Sequence, residues 1–193
     1  MDDRSEHGPV GVGPWQRRSR RVGYANAWIT VWHDEVDRPD GGPGIYGVVH
    51  FANLAAGVVV FDADDRILLV GQHRYTLDRY SWELPEGGVT PDESPLDGMK
   101  RELREETGVE ADDWREIVRF DLSNSVTDET GVLFVATGIR HGTATPDPTE
   151  DLATRWLPFA DALALVAAGE ITDAMTILGL QAVALERARA VGG

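Results

Sequence analysis

The chain has 193 residues, enough for one large core with a small appendage. Its 18 Lys and Arg stand against 33 Asp and Glu, a formal charge of -15, so it lacks the basic footprint that free nucleic acid needs, and solubility is the plainest consequence. With 0 cysteines it has no disulfide, zinc ribbon, thiolate or iron–sulfur chemistry, and the absence of a signal-peptide pattern or an apolar run near the roughly 18 residues of a membrane span reads as soluble and cytoplasmic.

In chain order, residues 1–14 are polar and rich in Gly and Pro, a composition that predicts a flexible tail. Residues 15–51 then carry aromatic and β-branched runs, AWITVWHDEV and IYGVVHF, parted by RPDGGPG, which predicts an antiparallel hairpin in a small N-terminal β appendage. The remainder, 52–193, reads as the main domain. LAAGVVVFD and RILLVGQHRY, parted by Ala63, Asp64 and Asp65, predict a second hairpin of central strands. After a WELPEGG turn comes a helix, then strands over WREIVRFDLS and GVLFVATGIR joined by the loop SNSVTDET, and then two helices. In the last of these Ile177, Leu178, Leu180, Ala184 and Leu185 form the predicted apolar stripe. Strands mixed with flanking helices predict an α/β fold.

The chemistry concentrates in GGVTPDESPLDGMKRELREETGV, residues 87–109. Ser94 followed by Pro95, with Asp97 in the first turn, is a helix start, and Gly108 is the matching stop. Between them Glu102, Glu105 and Glu106 stand at i, i+3 and i+4 and so share one face, while Leu96, Met99 and Leu103 can pack on another. Three neighbouring carboxylates raise one another's pKa and need arginines or a divalent cation to stay ionised. Oxygen ligands without Cys or His select hard Mg²⁺, with Mn²⁺ as a substitute. The bland alternative is a solvated charged helix, but that requires neither the preceding Gly-Gly nor the closing Gly-Val.

The order Gly-x5-Glu-x7-Arg-Glu-Leu-x-Glu-Glu-x-Gly-Val resembles the signature of the Nudix hydrolases, and every position is filled, from Gly87 and Glu93 through Arg101, Glu102, Leu103, Glu105 and Glu106 to Gly108 and Val109. RYTLDRYSWELPEGG before it, SVTDE after it and GEITDAMTILGL near the end look like the ADP-ribose or nucleotide-sugar pyrophosphatase branch. The resemblance implies an α/β/α sandwich and metal-dependent cleavage of a pyrophosphate in a nucleoside diphosphate derivative. It implies Glu102 and Glu106 as metal ligands, Glu105 as a ligand or water-mediated partner within the catalytic group, and the Glu86 carbonyl as a further ligand. Glu93 and Arg101 pair to hold the loop on the helix, which places Arg101 beside the catalytic residues. Trp28, with Trp32 behind it, either stacks on a base or packs a core or interface. Arg74 either meets a phosphate or forms an ion pair with Asp78 or Glu83, and Glu83 belongs with it at the substrate. The general base is assigned to Glu129 in SNSVTDET, because carboxylates engaged by cations lose basicity, with Asp128 as the alternative.

A small anionic substrate, a homodimer built through the appendage, and no nucleic-acid or membrane partner complete the expectation. Two other readings share the signature: a nucleotide-binding regulatory module, and a hydrolase of dinucleoside polyphosphates or nucleoside triphosphates. The isolated histidines form no zinc spacing, no GxxxxGK loop occurs, and Ser123 and Ser125 near Asp128 do not make a triad.

Overall fold

The computed structural model describes residues 9–145 and 151–192, which divide into two compact units. The first is formed by the chain up to Asn53 together with Asp121–Thr130, and the second by Leu54–Phe120 and the chain from Gly131 onward.

The first unit is a four-stranded antiparallel sheet, β1 (Val10–Val12), β2 (Trp15–Ala25), β3 (Ile29–Asp37) and β4 (Pro43–Phe51), in that order. The RPDGGPG turn joins β3 to β4 with Arg38 N donating to Gly42 O at 2.8 Å, and Gly41 takes the left-handed φ of 83° that the turn needs. The expected tail over 1–14 differs at Val10–Val12, where the chain pairs with Trp15–Arg17 as a strand; residues 1–8 lie outside the described residues.

The second unit has two sheets. One runs β8 (Glu86–Val89), β5 (Leu54–Val60), β10 (Thr130–His141), β9 (Val109–Asp121), with β5 and β10 parallel. The other runs β11 (Ala153–Pro158), β6 (Arg66–Arg74), β7 (Arg79–Glu83) and is antiparallel. The second predicted hairpin is therefore corrected. The chain reverses at Asp62–Arg66, with Asp62 N donating to Arg66 O at 3.0 Å and one antiparallel bridge between Phe61 and Ile67, but the pairing stops there and β5 and β6 belong to different sheets. Both strands are apolar on both faces, and separate partners bury more of them than pairing with each other would. Strands β7, β8 and β11 are additions: the first two flank the tight Leu84-Pro85 corner, where the sequence reads as turn.

Among the described residues the helices are α1 (Pro95–Thr107), α2 (Phe159–Ala167) and α3 (Ala174–Val191). On one face of β5 and β10, Ala56, Val58, Val132 and Phe134 pack with Met99 and Leu103 of α1. On the other face Gly57 lies close to Leu133 and Met175, and Gly179 of α3 seats against Leu84 and Val59, where an added Cβ would stand 2.9 and 3.2 Å from their methyls. That close seat turns α3 so that Met175, Thr176, Gly179, Leu180 and Val183 are buried and Leu185 of the predicted stripe is exposed. Helices on both faces of a mixed sheet make the α/β/α sandwich.

Candidate active site

Helix α1 begins as its sequence dictates. Ser94 Oγ accepts from Asp97 N at 3.1 Å, Pro95 occupies the first turn, and Gly108 ends the helix at φ 70° with its N–H on Arg104 O. Its length projects Arg101, Glu102 and Glu105 to one side and sinks Glu106 to 7% exposure. Gly98 lets the helix lie directly on Val89 of β8, and Gly87 lets Glu102 lie across the β8 backbone, since a Cβ there would stand 2.3 Å from Glu102 Cδ.

Arg101 gathers the acids of the signature. Its Nε and Nη2 meet the two oxygens of Glu93 at 2.8 and 2.9 Å, and its Nη1 meets Glu102 at 2.8 Å and Glu105 at 3.1 Å. Nη2 also reaches Gly88 O at 3.3 Å, so one guanidinium ties the loop to α1 and to β8. Hydrogen bonding from Arg101 holds the Glu93 carboxyl down at about 2, and the same bond to Glu93, helped by Glu102, raises Arg101 further.

A second cluster forms beside this one. Arg74, leaving β6, donates to both oxygens of Glu83 and from Nη2 to Glu86 Oε1 at 2.7 Å. Of the two partners expected for Arg74, Asp78 and Glu83, Glu83 is the one it meets, with Glu86 as a second acid, while Asp78 faces His73 Nε2 at 3.7 Å. Burial works against the Arg74 charge, and the Glu83 hydrogen bond with the charge of Glu86 overcomes it and raises the guanidinium. Asp173, the N-cap of α3, joins the cluster: carboxylate oxygens of Glu83, Glu86 and Asp173 lie within 4.8 Å of one another. Asp173 was not among the sequence-derived site residues. The signal for it is the cap position itself, an Asp immediately before a helix, whose other role is invisible until Thr176 Oγ1 accepts from Leu84 N at 2.9 Å and brings the helix start to the corner before β8.

Glu86 shows what this arrangement can do. Its Oε2 is buried with no hydrogen-bond partner. Burial first, then the like charges of Asp173 and Glu83, push its carboxyl well above the ordinary range, with Arg74 opposing and Glu106 adding to the rise. An all-oxygen, acid-rich cluster with an unsatisfied buried carboxylate oxygen fits a hard divalent cation.

Trp28 and Glu129 lie in the first unit. Trp28 sits at the β2–β3 turn, 71% exposed, its backbone N–H donating to Asn26 Oδ1 at 2.8 Å. Glu129 closes the 122–129 loop, its carbonyl accepting from Leu122 N at 2.9 Å, and burial raises its carboxyl. Trp32 sits under the Arg20 guanidinium, 5.2 Å from its ring centroid.

Comparison with known proteins gives the family. The NUDIX domain family matches residues 52–175, and the nucleoside diphosphate sugar hydrolase N-terminal domain matches 15–49. An ADP-ribose pyrophosphatase of Mycobacterium tuberculosis is 35% identical over 83% of this chain and 78% of its own length. A CMP-5'-(N-acetyl-N-hydroxy-3-aminopropyl)phosphonate hydrolase of Streptomyces rubellomurinus is 32% identical over 88% of this chain and 82% of its own. The crystal structure of an ADP compounds hydrolase superposes with a TM-score of 0.77, covering 98% of this chain and 99% of that one, at 19% identity, which establishes the shared fold. With its complete signature over Gly87–Val109 and a family match over most of its length, the chain belongs to the Nudix family and is a pyrophosphatase of that family.

Proposed function

We propose that this protein hydrolyses the pyrophosphate bond of ADP-ribose or a related nucleoside diphosphate sugar, releasing a nucleoside monophosphate and a sugar phosphate, with Mg²⁺ bound. The observation that supports the metal dependence is the convergence of acids around the signature: Arg101 draws Glu102 and Glu105 together, and buried Glu106 adds its charge to Glu86, whose Oε2 has no hydrogen-bond partner. The substrate class rests on the two relatives, both named for nucleotide-linked substrates.

Glu102 and Glu106 would hold the cation, with Glu105 directly or through water and the Glu86 carbonyl completing the set. A divalent ion bound there supplies charge neutralisation at the phosphate oxygens and a more acidic water. Arg101 keeps the loop, α1 and β8 in register by spanning Glu93, Glu102 and Glu105. Arg74 and Glu83 are proposed at the substrate, where a guanidinium oriented by two acids is preset to meet a phosphate. Glu129 is proposed as the general base, since burial raises its carboxyl toward a useful basicity.

We further propose that the 15–51 appendage pairs with a second copy of the chain. Its sheet leaves Val22, Tyr24, Trp28 and Ile45 exposed, more apolar surface than a small sheet leaves to water without cause, and an isologous dimer covers such a face. Trp28 is the aromatic proposed to stack on the base. Light scattering at micromolar concentration showing a monomer would refute the dimer.

A second reading, cleavage of a cytidine-linked substrate, is favoured by the Streptomyces relative alone. Turnover of ADP-ribose, nucleotide sugars, a CMP-linked phosphonate, NADH, dinucleoside polyphosphates and nucleoside triphosphates, with Mg²⁺ and with EDTA, tests both. The proposal predicts highest kcat/KM on ADP-ribose or a nucleotide sugar, abolished by EDTA. Preference for polyphosphates or triphosphates overturns the substrate class, and binding without hydrolysis would indicate a regulatory module.

A further inference from the structure

The 121–130 loop, which carries Glu129, is fastened to the edge and face of β4. Val49 N donates to Val126 O at 2.9 Å, Asp128 N donates to Val49 O at 3.2 Å, and Tyr46 Oη donates to Ser125 O at 2.8 Å. The loop also closes on itself: Leu122 N reaches Glu129 O, and Thr127 Oγ1 donates to Leu122 O at 2.5 Å. The mobile loop that a strand-to-strand connection suggests is thus a stitched turn.

Asp128 is the one acid of this loop committed to β4. Its Oδ1 accepts from Phe51 N at 3.1 Å, and its Oδ2 lies 2.6 Å from His50 Nδ1, which donates in the tautomer a carboxylate acceptor selects. Both oxygens therefore point at the strand. Asp128 and Glu129 are consecutive between the bridged Thr127 and the strand beginning at Thr130, and the Glu129 backbone is held at both ends, its N–H by Thr127 Oγ1 at 3.4 Å and its carbonyl by Leu122 N at 2.9 Å. Holding Asp128 on β4 therefore also holds the residue that follows it.

We propose that His50 and Asp128 are positioning residues for the reaction: the His50–Asp128 pair fixes the loop so that Glu129 is presented in one orientation, and Asp128 is not itself the base. This rests on the reading of Glu129 as general base. Removing the His50 donor leaves Asp128 held on one side only, and the orientation of Glu129 loosens. Misplacement of a reacting group by about 1 Å costs up to roughly 10²-fold, so a partial loss of about tenfold in kcat is the scale to look for.

The test uses the full chain and four variants, His50→Ala, His50→Asn, Glu129→Gln and the double variant His50→Ala with Glu129→Gln, with kcat, KM and the thermal midpoint measured for each. An asparagine Nδ2 can occupy the place of the imidazole Nδ1 and donate to Asp128. The proposal expects His50→Ala to lower kcat about tenfold at unchanged KM, His50→Asn to restore most of it, and the double variant to be no slower than Glu129→Gln, because both act through one group. Wild-type kcat in His50→Ala overturns the positioning role while Glu129→Gln remains slow. Losses that multiply in the double variant, or failure of His50→Asn to restore turnover at a normal midpoint, overturn it as well. Wild-type turnover in Glu129→Gln overturns instead the base assignment on which it rests.

Discussion

Replacing Gly87 by alanine separates the chemistry of this site from its stability. The new Cβ would stand 2.3 Å from Glu102 Cδ, 2.5 Å from its Oε2 and 2.6 Å from its Cγ. Ordinary contact begins at 3.4 Å, so Cδ must retreat by 3.4 minus 2.3, or 1.1 Å. The atoms in the way are the far half of a flexible side chain, and the fold yields by swinging it into a poorer rotamer at a cost of about 0.5–1.5 kcal/mol. For a chain of this size that lowers the melting temperature by about 1–6 °C. A proposed metal ligand displaced by about 1 Å, however, lowers turnover roughly 10²-fold. Gly98→Ala is the contrast, because its Cβ would stand 2.6 and 2.7 Å from the methyls of buried, β-branched Val89, which has nowhere to swing. That overpacking costs about 1–3 kcal/mol and touches no proposed ligand. Steady-state kinetics with a calorimetric scan of both variants decide the matter. Near-normal turnover in Gly87→Ala, or a larger melting loss there than in Gly98→Ala, would refute the reasoning that Gly87 exists to admit Glu102.

Glu102→Gln and Glu106→Gln should each lower turnover by orders of magnitude with the fold intact by circular dichroism, and near-normal Mg²⁺-dependent hydrolysis in either would sink the ligand assignment. Glu129→Gln should lower kcat roughly 10²-fold with metal binding unchanged by titration calorimetry. Because burial raises the Glu129 carboxyl and the base must be ionised, kcat should fall as pH drops through that raised value, at higher pH than an exposed glutamate would give, and an acid limb that persists in Glu129→Gln assigns it to another group. Arg187→Ala should cost about 1–2 kcal/mol with turnover little changed, since the guanidinium lies 4.6 Å from the Phe61 ring and 4.5 Å from the Phe159 ring and pairs with exposed Asp65; denaturant unfolding at wild-type midpoint would show the clasp to be idle.

Local pattern alone determined a good part of this protein. The cap Ser94, the Pro95 start and the Gly108 stop act within one turn of chain, and so the helix and its three glutamates were legible from spacing. The hairpin of β3 and β4 was legible for the same reason, its turn residues lying between its strands. Strand partners were not, because β5 and β6 are apolar on both faces and only the competition among all strands for buried neighbours assigns them to different sheets. The face α3 buries depends on where Gly179 can meet Leu84, a contact between residues far apart in sequence. Asp173 came to Glu83 and Glu86, and Asp128 to His50, in the same way. A carboxylate's neighbours across the fold, unlike its neighbours along a helix, are set by the packing of the whole core, and that is why the structure alone could show what these two acids face.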